Sequence, residues 1–249
     1  MGHRGIADDK GGIALILHTL LLLKEMGSHE FGTLSVVIKG DEEISSPASC
    51  ALIHRLAAEH DVVLSCEPPF SKKDESTLAT SGIGVAMLTV KGKAAHAGVN
   101  TEQGRNAIIE LAHRLLQLND LSDPERRITF NWTLVNGGQV RNMIPDQASA
   151  SADVRVNRLA DPDVIEQRYR ERVAAQIPLI SDTKGEARFE QRRPLLDSTD
   201  VSRSVARTAQ AIYAEIGQRL TVDESGTGGG TDAAFAAASG KPAVVNASA

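Results

Sequence analysis

The chain has 249 residues, of which 41% are hydrophobic and 24% are charged, as is ordinary for a globular protein. This length allows one large domain or two smaller ones, each with its own core. The formal net charge of −5 argues against a nucleic-acid-binding protein, which needs a basic patch, and two cysteines are too few for a disulfide framework.

The first third of the chain predicts alternating helices and strands of a parallel α/β layer. The apolar run Ile13–Leu23 predicts a buried helix that Gly27 ends, and it is too short to cross a bilayer. No signal peptide is visible at Met1. We expect a soluble protein, and its compartment, cytoplasm or periplasm, is left undecided by the sequence. The other predicted elements are a strand over Thr33–Lys39, a helix over Pro47–His60 and a strand over Asp61–Ser65.

After about Ser81 the pattern changes to the strand and helix order βαββαβ, which is typical of a ferredoxin-like unit. In its second helix, Asp161 is a plausible N-cap with Pro162 at the first helical position. The predicted elements are strand Gly84–Lys93, helix Asn106–Asn119, strands Arg127–Val140 and Gln147–Asn157, helix Asp161–Ile177 and strand Glu186–Arg192.

A helix over Asp200–Leu220 and the glycine-rich loop GTGGGTDAAF complete the pattern. We therefore predict an α/β fold with a mixed or mostly parallel sheet, interrupted by an inserted βαββαβ domain. Residues 1–80 and 194–249 would form the first domain, and residues 81–193 the insertion.

Acidic residues stand where the predicted strands and helices of the first domain meet. Asp8 and Asp9 precede the first helix, the run Asp41-Glu42-Glu43 follows one strand, and Glu67 follows the next. Ligands of open α/β sheets bind outside the carboxyl ends of the strands, so these acids can meet at one edge. Helix caps and turns are the alternative, and that alternative fits Asp9 and Asp41 better than Glu42 and Glu43.

The motifs IADDKGG, GDEE, SCEP, GKAAHAG, VRNMIP, ADVR and GGGTDAA stand in the order found in a known family. In them the chain resembles the zinc aminoacylase and carboxypeptidase family, and within it the bacterial glutamate carboxypeptidases of the G type. The resemblance runs from Gly5 to about Pro242. It implies a metallopeptidase with two zinc ions per subunit.

The resemblance also implies the roles of four acids. Asp8 matches the carboxylate that bridges the two zinc ions, while Glu43 and Glu67 match a ligand of one zinc each. Glu42 matches the general base, which takes a proton from the metal-bound water and returns it to the leaving amine.

Further residues match substrate-handling positions of that family. His96 matches a histidine that reaches the partner subunit's active site and stabilises the oxyanion, which implies a homodimer formed through the inserted domain. Substrate-binding positions are matched by Asn142, Arg155, Arg193, Gly229, Gly230 and Thr231. The two arginines suit a substrate with a free carboxylate, although a solvated charge at a strand end is the alternative for both. A flexible loop is the alternative for the glycines.

Two histidine ligands of the family have no counterpart at the matching places of this sequence, and the spacing of His3 makes it no substitute. We therefore expect a fragment of a longer enzyme, one that binds zinc weakly and hydrolyses little. The leading hypothesis for the parent is removal of a C-terminal glutamate-like residue from N-acyl or folate-like substrates. An aminoacylase or dipeptidase of the same chemistry, and a non-catalytic dimerisation fragment, stay open. No nucleic-acid or membrane partner is expected.

Overall fold

The computed structural model describes residues 6–67, 75–226, 228–240 and 243–248. His3 lies outside these residues, as do Gly5 and Pro242, the two ends of the segment that resembles the known family. The chain divides into two compact units, one formed by residues up to Ser81 and from Arg193 onwards, the other by Gly82–Arg192.

The helices and strands of the described residues are numbered in chain order. The helices are α1 (Gly11–Glu25), α2 (Cys50–Ala58), α3 (Ala107–Leu116), α4 (Asp161–Ala174), α5 (Asp200–Glu215) and α6 (Ala233–Ala237). The strands are β1 (Val62–Glu67), β2 (Glu75–Thr77), β3 (Gly82–Lys91), β4 (Ala95–His96), β5 (Thr129–Gly137), β6 (Met143–Ile144), β7 (Gln147–Val156), β8 (Lys184–Arg193), β9 (Thr221–Asp223) and β10 (Ala243–Ser248).

The first unit contains a mixed four-stranded sheet in the order β1-β10-β2-β9. Strand β1 is parallel to β10, β10 is antiparallel to β2, and β2 is parallel to β9. Alanines of α2 and α6 pack with Leu196 into a small core. An antiparallel bridge joins Thr80 to Leu196, so the chain segments that leave and re-enter this unit lie side by side.

The second unit has the predicted βαββαβ order, with β3, β5, β7 and β8 in one sheet and the helices α3 and α4 between them. Its spatial order is β5-β7-β3-β8, and β7 runs antiparallel to both β3 and β5. Every second residue of β3 and β7 is buried, as the alternating sequence requires. The α/β fold class with an inserted ferredoxin-like unit is therefore confirmed.

Two expectations for the first unit are wrong. Residues 33–39 do not form a strand, and Leu34, Val36 and Ile38 are 50%, 40% and 55% exposed. Helix α1 has its predicted position, and Gly27 ends it with φ of +63°, yet its leucines at 15, 17, 21 and 22 are 44–58% exposed instead of buried. The apolar patterns are present, but no described strand lies beside residues 33–39 to accept their backbone hydrogen bonds.

Asp161 also differs from its expected role. The N-cap of α4 is Ala160, so Asp161 is the first helical residue and Pro162 the second, one position later in the helix than predicted. The Asp161 carboxylate is fully buried, and Arg126 donates to its Oδ1 from Nη2 at 2.7 Å. A cap side chain would face its own helix end, whereas this one forms an ion pair with a preceding turn. Among the described helices, none is long and apolar enough to span a membrane.

Candidate active site

Strand β1 ends at Glu67, whose half-buried carboxylate lies beside the glycine-rich loop. Thr231 donates its hydroxyl to Glu67 Oε1 at 2.8 Å. Burial raises the pKa of Glu67 to about 7; the Thr231 hydrogen bond and Arg193 oppose this rise, while the nearby carboxylates of Glu42 and Asp232 add to it. The structure therefore brings together four of the residues that the sequence analysis proposed for the site: Glu42, Glu67, Arg193 and Thr231.

Arg193 lies against Glu42 in the same unit. Its Nη1 is 2.6 Å from Glu42 Oε1, and its Nη2 donates to the Glu42 main-chain oxygen at 2.8 Å. Its side chain is only 5% exposed, so the alternative of a solvated strand-end charge is wrong for Arg193.

Three residues that the sequence did not single out complete this cluster. Asp232 is buried; Lys39 forms an ion pair with its Oδ2, and Ser46 donates its hydroxyl to the same oxygen at 2.5 Å. The one available signal for Asp232 was its place directly after Thr231 in the GGGTDAA motif. Lys39 and Ser46 lie far from that motif in the chain, so only the fold shows their proximity.

The first acidic pair lies beside the same strand. Asp9 Oδ1 accepts a hydrogen bond from Gly12 N–H at 3.2 Å, and a Cβ on Gly12 would lie 2.5 Å from that oxygen, so any larger residue there would force the Asp9 side chain to move. Burial raises the pKa of Asp9, the Gly12 hydrogen bond opposes the rise, and the neighbouring Asp8 adds to it. Burial also raises the pKa of the Cys66 thiol on β1, with Asp9 and Glu67 adding to the rise. Asp8 itself is exposed.

The Asp41-Glu42-Glu43 run separates into residues with different surroundings. Asp41 accepts hydrogen bonds from Ala48 N–H at 3.0 Å and from Ser49 N–H at 3.1 Å, so the turn alternative holds for Asp41. The Ser49 hydroxyl, which also donates to it, is the largest cause that lowers the pKa of Asp41. Glu43 is exposed.

The second unit brings His96 and Asn142 together on a two-stranded ribbon. His96 on β4 pairs with Met143 on β6, and Ala97 N–H donates to the Asn142 main-chain oxygen at 2.8 Å. His96 is exposed, and its Nδ1 accepts a hydrogen bond from Gly98 N–H at 3.1 Å. In the neutral ring this bond assigns the proton to Nε2, which is then an N–H donor.

The remaining predicted positions have structural partners. Arg155 on β7 donates to both carboxylate oxygens of Asp153 at 2.8 Å. In the glycine-rich loop, the Gly229 main-chain oxygen accepts from Ser81 N–H at 3.0 Å, and Gly230 is half-buried.

The residues at the end of β1 do not by themselves fit a zinc ion. Within the described ranges, no group of three or more histidine, cysteine, aspartate or glutamate residues could hold a metal. A catalytic zinc usually has three protein ligands, and the donors brought together here are carboxylates without an imidazole. The metal-ligand roles of Asp8, Glu43 and Glu67 therefore stay predictions.

The sequence of this chain matches a protein-family model and known relatives. Residues 78–179 match the peptidase dimerisation domain of the M20 peptidases. Over 240 residues the chain is 41% identical to carboxypeptidase G2 from Pseudomonas sp. strain RS-16, covering 96% of this chain and 57% of that protein.

Two solved structures share the fold. Aminopeptidase PepT from Bacillus cereus superposes with a TM-score of 0.72 at 23% identity, over 97% of this chain and 62% of that one. The M20 family metallo-carboxypeptidase Sso-CP2 from Sulfolobus solfataricus does so with a TM-score of 0.61 at 16% identity, over 84% and 61% of the two chains. The chain thus spans less than two thirds of the length of these proteins.

Proposed function

We propose that this chain, which belongs to the M20 peptidase family, carries general-base and substrate-binding residues of a metal-dependent hydrolase. The reaction proposed is removal of a C-terminal glutamate-like residue from an N-acyl or folate-like substrate by hydrolysis of its amide bond. The observation that carries the proposal is the cluster of Glu42, Glu67, Arg193 and Thr231 at the end of β1. The similarity to carboxypeptidase G2 supports cleavage at a C-terminal residue.

Glu42 suits the role of the base because its carboxylate is ion-paired on one side and open on the other. Its Oε1 contacts Arg193, while its side chain is 33% exposed and can still meet a water molecule. A positioned carboxylate that takes a proton from water and gives it to the leaving amine contributes roughly 10²–10⁴-fold to the rate. Metal ions held in such enzymes polarise the substrate carbonyl.

The second unit is proposed to supply the oxyanion donor and the subunit contact. His96 presents an Nε2–H donor in its neutral form, and Asn142 directly precedes the paired strand β6. In the proposed homodimer, His96 acts in the active site of the partner subunit. The match to a peptidase dimerisation domain supports this arrangement.

The test is hydrolysis of an N-acyl-glutamate by the purified protein with added zinc, alongside the matching glutamine-terminated substrate. In the low turnover expected of these 249 residues, the acid should be preferred, and Glu42→Gln should lower turnover by about 100-fold or more. Glu59→Gln changes an exposed glutamate at the end of α2 and should leave turnover unchanged. Equal turnover by Glu42→Gln and the unmodified protein would refute the base role, and a preference for the glutamine-terminated substrate would favour an aminoacylase or dipeptidase.

A second function, dimerisation without catalysis, is favoured by one observation. The described residues do not form a group that could hold a metal ion. We therefore expect these 249 residues alone to bind zinc weakly, and a calorimetric titration with zinc tests this. A stable dimer that neither binds zinc nor turns over substrate supports the second function, whereas tight zinc binding with turnover supports the first.

A further inference from the structure

Asp232 is a buried carboxylate placed between two cations. Its side chain is 8% exposed, and its Oδ2 accepts from the Ser46 hydroxyl at 2.5 Å and is ion-paired with Lys39. Its Oδ1 lies 3.2 Å from Arg193 Nη2, an ion-pair contact without the geometry of a hydrogen bond. A buried carboxylate is stable only when it is paired, and here both oxygens have a cationic partner.

Arg193 connects Asp232 to Glu42. One guanidinium nitrogen contacts the Glu42 carboxylate and the other donates to the Glu42 main-chain oxygen, at 2.6 and 2.8 Å. The side chain and the backbone of Glu42 are therefore held by the same rigid group. The charges of Lys39, Asp232, Arg193 and Glu42 alternate in sign along the contacts and sum to zero.

We infer that Asp232 is a positioning residue: it fixes the Arg193 guanidinium, which in turn orients the carboxylate of Glu42. Arg193 then serves the base, a different role from the binding of a substrate carboxylate that the family resemblance implies for it. Its Nε has no hydrogen-bond acceptor among the described residues, but this atom is buried, so a substrate carboxylate cannot reach it without displacing its neighbours. The inference rests on the proposed function only for the statement that Glu42 is the base.

The experiment is nitrogen-15 NMR of the arginine side chains in the metal-free chain. In the unmodified protein we expect slow rotation of the Arg193 guanidinium, because two of its nitrogens are in charge-assisted contacts. Asp232→Asn should speed this rotation by about tenfold or more, since the buried ion pair between Asp232 and Arg193 is lost, and should shift the backbone amide signal of Glu42.

The matched control is Asp200→Asn, which removes the carboxylate that Arg203 contacts at 2.7 Å on an exposed helix end. It should leave the signals of Arg193 and Glu42 unchanged. Ser46→Ala keeps the Asp232 charge and removes one of its donors, so it serves if Asp232→Asn does not fold, and a smaller change in the same direction is expected. Unchanged Arg193 rotation in the variant that folds would overturn the inference.

Addition of N-acetyl-L-glutamate separates positioning from substrate binding. A positioning role leaves the Arg193 signals in place at millimolar concentrations, whereas release of Glu42 and a shift of the Arg193 signals on addition would overturn the inference. In the hydrolysis assay, Asp232→Asn should lower kcat with little change in KM; a raised KM with unchanged kcat would contradict it. If no substrate is hydrolysed but Asp232→Asn speeds the rotation of the Arg193 guanidinium, the proposed function fails. The contacts from Asp232 through Arg193 to Glu42 are then still supported.

Discussion

At the scale of single residues, Glu67 combines partial burial with neighbouring carboxylates. Its pKa of about 7 has burial as the main cause, and the charges of Glu42 and Asp232 contribute. In the unfolded chain the same carboxyl would titrate near its ordinary value of 4.5. Between pH 4.5 and about 7, Glu67 in the folded metal-free protein therefore keeps a proton that the unfolded chain has released.

The stability of the metal-free protein should consequently fall as the pH rises. Below about pH 4.5 both states are protonated and the contribution is fully present; it is lost as the pH rises through about 7. Between pH 5 and 7.5 we expect a loss of about 2 kcal/mol from this group. Urea unfolding in the presence of a chelator measures it.

Glu67→Gln is the control for this pH dependence, since glutamine can still accept the Thr231 hydroxyl but does not titrate. The variant should lose most of the fall in stability between the two pH values. An equal fall in the variant and the unmodified protein would show that another group causes it.

At the scale of elements, a buried glutamate joins α3 to the segment that follows α4. Glu110 is fully buried; its Oε1 accepts from Arg114 Nε at 2.7 Å. Its Oε2 accepts from the backbone N–H groups of Leu179 and Ile180 at 2.9 and 2.8 Å. One side chain thus satisfies a buried cation and two backbone donors.

Glu110→Ala should destabilise the second unit by about 3–5 kcal/mol, because the buried Arg114 charge loses its partner. Glu166→Ala removes a glutamate with the same i,i+4 spacing to an arginine, Arg170, but in an exposed pair. That control should change the stability by less than about 0.5 kcal/mol. Urea unfolding of both variants compares the two, and similar losses would contradict the assigned role of Glu110.

The sequence predicts those elements whose pattern depends on neighbours close in the chain. Strands β3 and β7 follow from strict alternation, and α3 follows from its apolar face and from Asn106, whose side chain accepts from the N–H of Ile108 and Ile109. Residues 33–39 have the composition of a strand, yet a strand exists only with a hydrogen-bonded neighbour. Likewise Asp232 acquires its partners only through the tertiary fold, as does Glu110 for its bonds to Leu179 and Ile180.

At the scale of the whole molecule, the two edges of the second unit's sheet differ in chemistry. Edge strand β8 carries alternating charges that discourage pairing with another strand, at Lys184, Glu186, Arg188, Glu190 and Arg192. The other edge, β5, has no charged residue, and its Leu134 and Val135 are 62% and 61% exposed. An uncharged apolar edge favours association with a second copy.

We therefore expect a homodimer at micromolar concentration that Leu134→Lys converts to a monomer. Leu159→Lys introduces the same charge at a residue of the second unit that is 73% exposed, and it should leave the dimer intact. Analytical ultracentrifugation distinguishes the states. A monomeric unmodified protein, or a dimer that persists in Leu134→Lys, would refute a contact through β5.

The bridge between Thr80 and Leu196 has a consequence for how such a protein can change over evolution. The two chain segments are hydrogen-bonded neighbours, with Thr80 N–H donating to the Leu196 main-chain oxygen at 3.0 Å. The two ends of the intervening polypeptide are therefore adjacent in the host unit. The entropy of closing such a loop grows only slowly with the number of residues inserted. Gly82–Arg192 can therefore be exchanged for another folded module, or deleted and replaced by a few residues, without any change in the strand order of the host sheet.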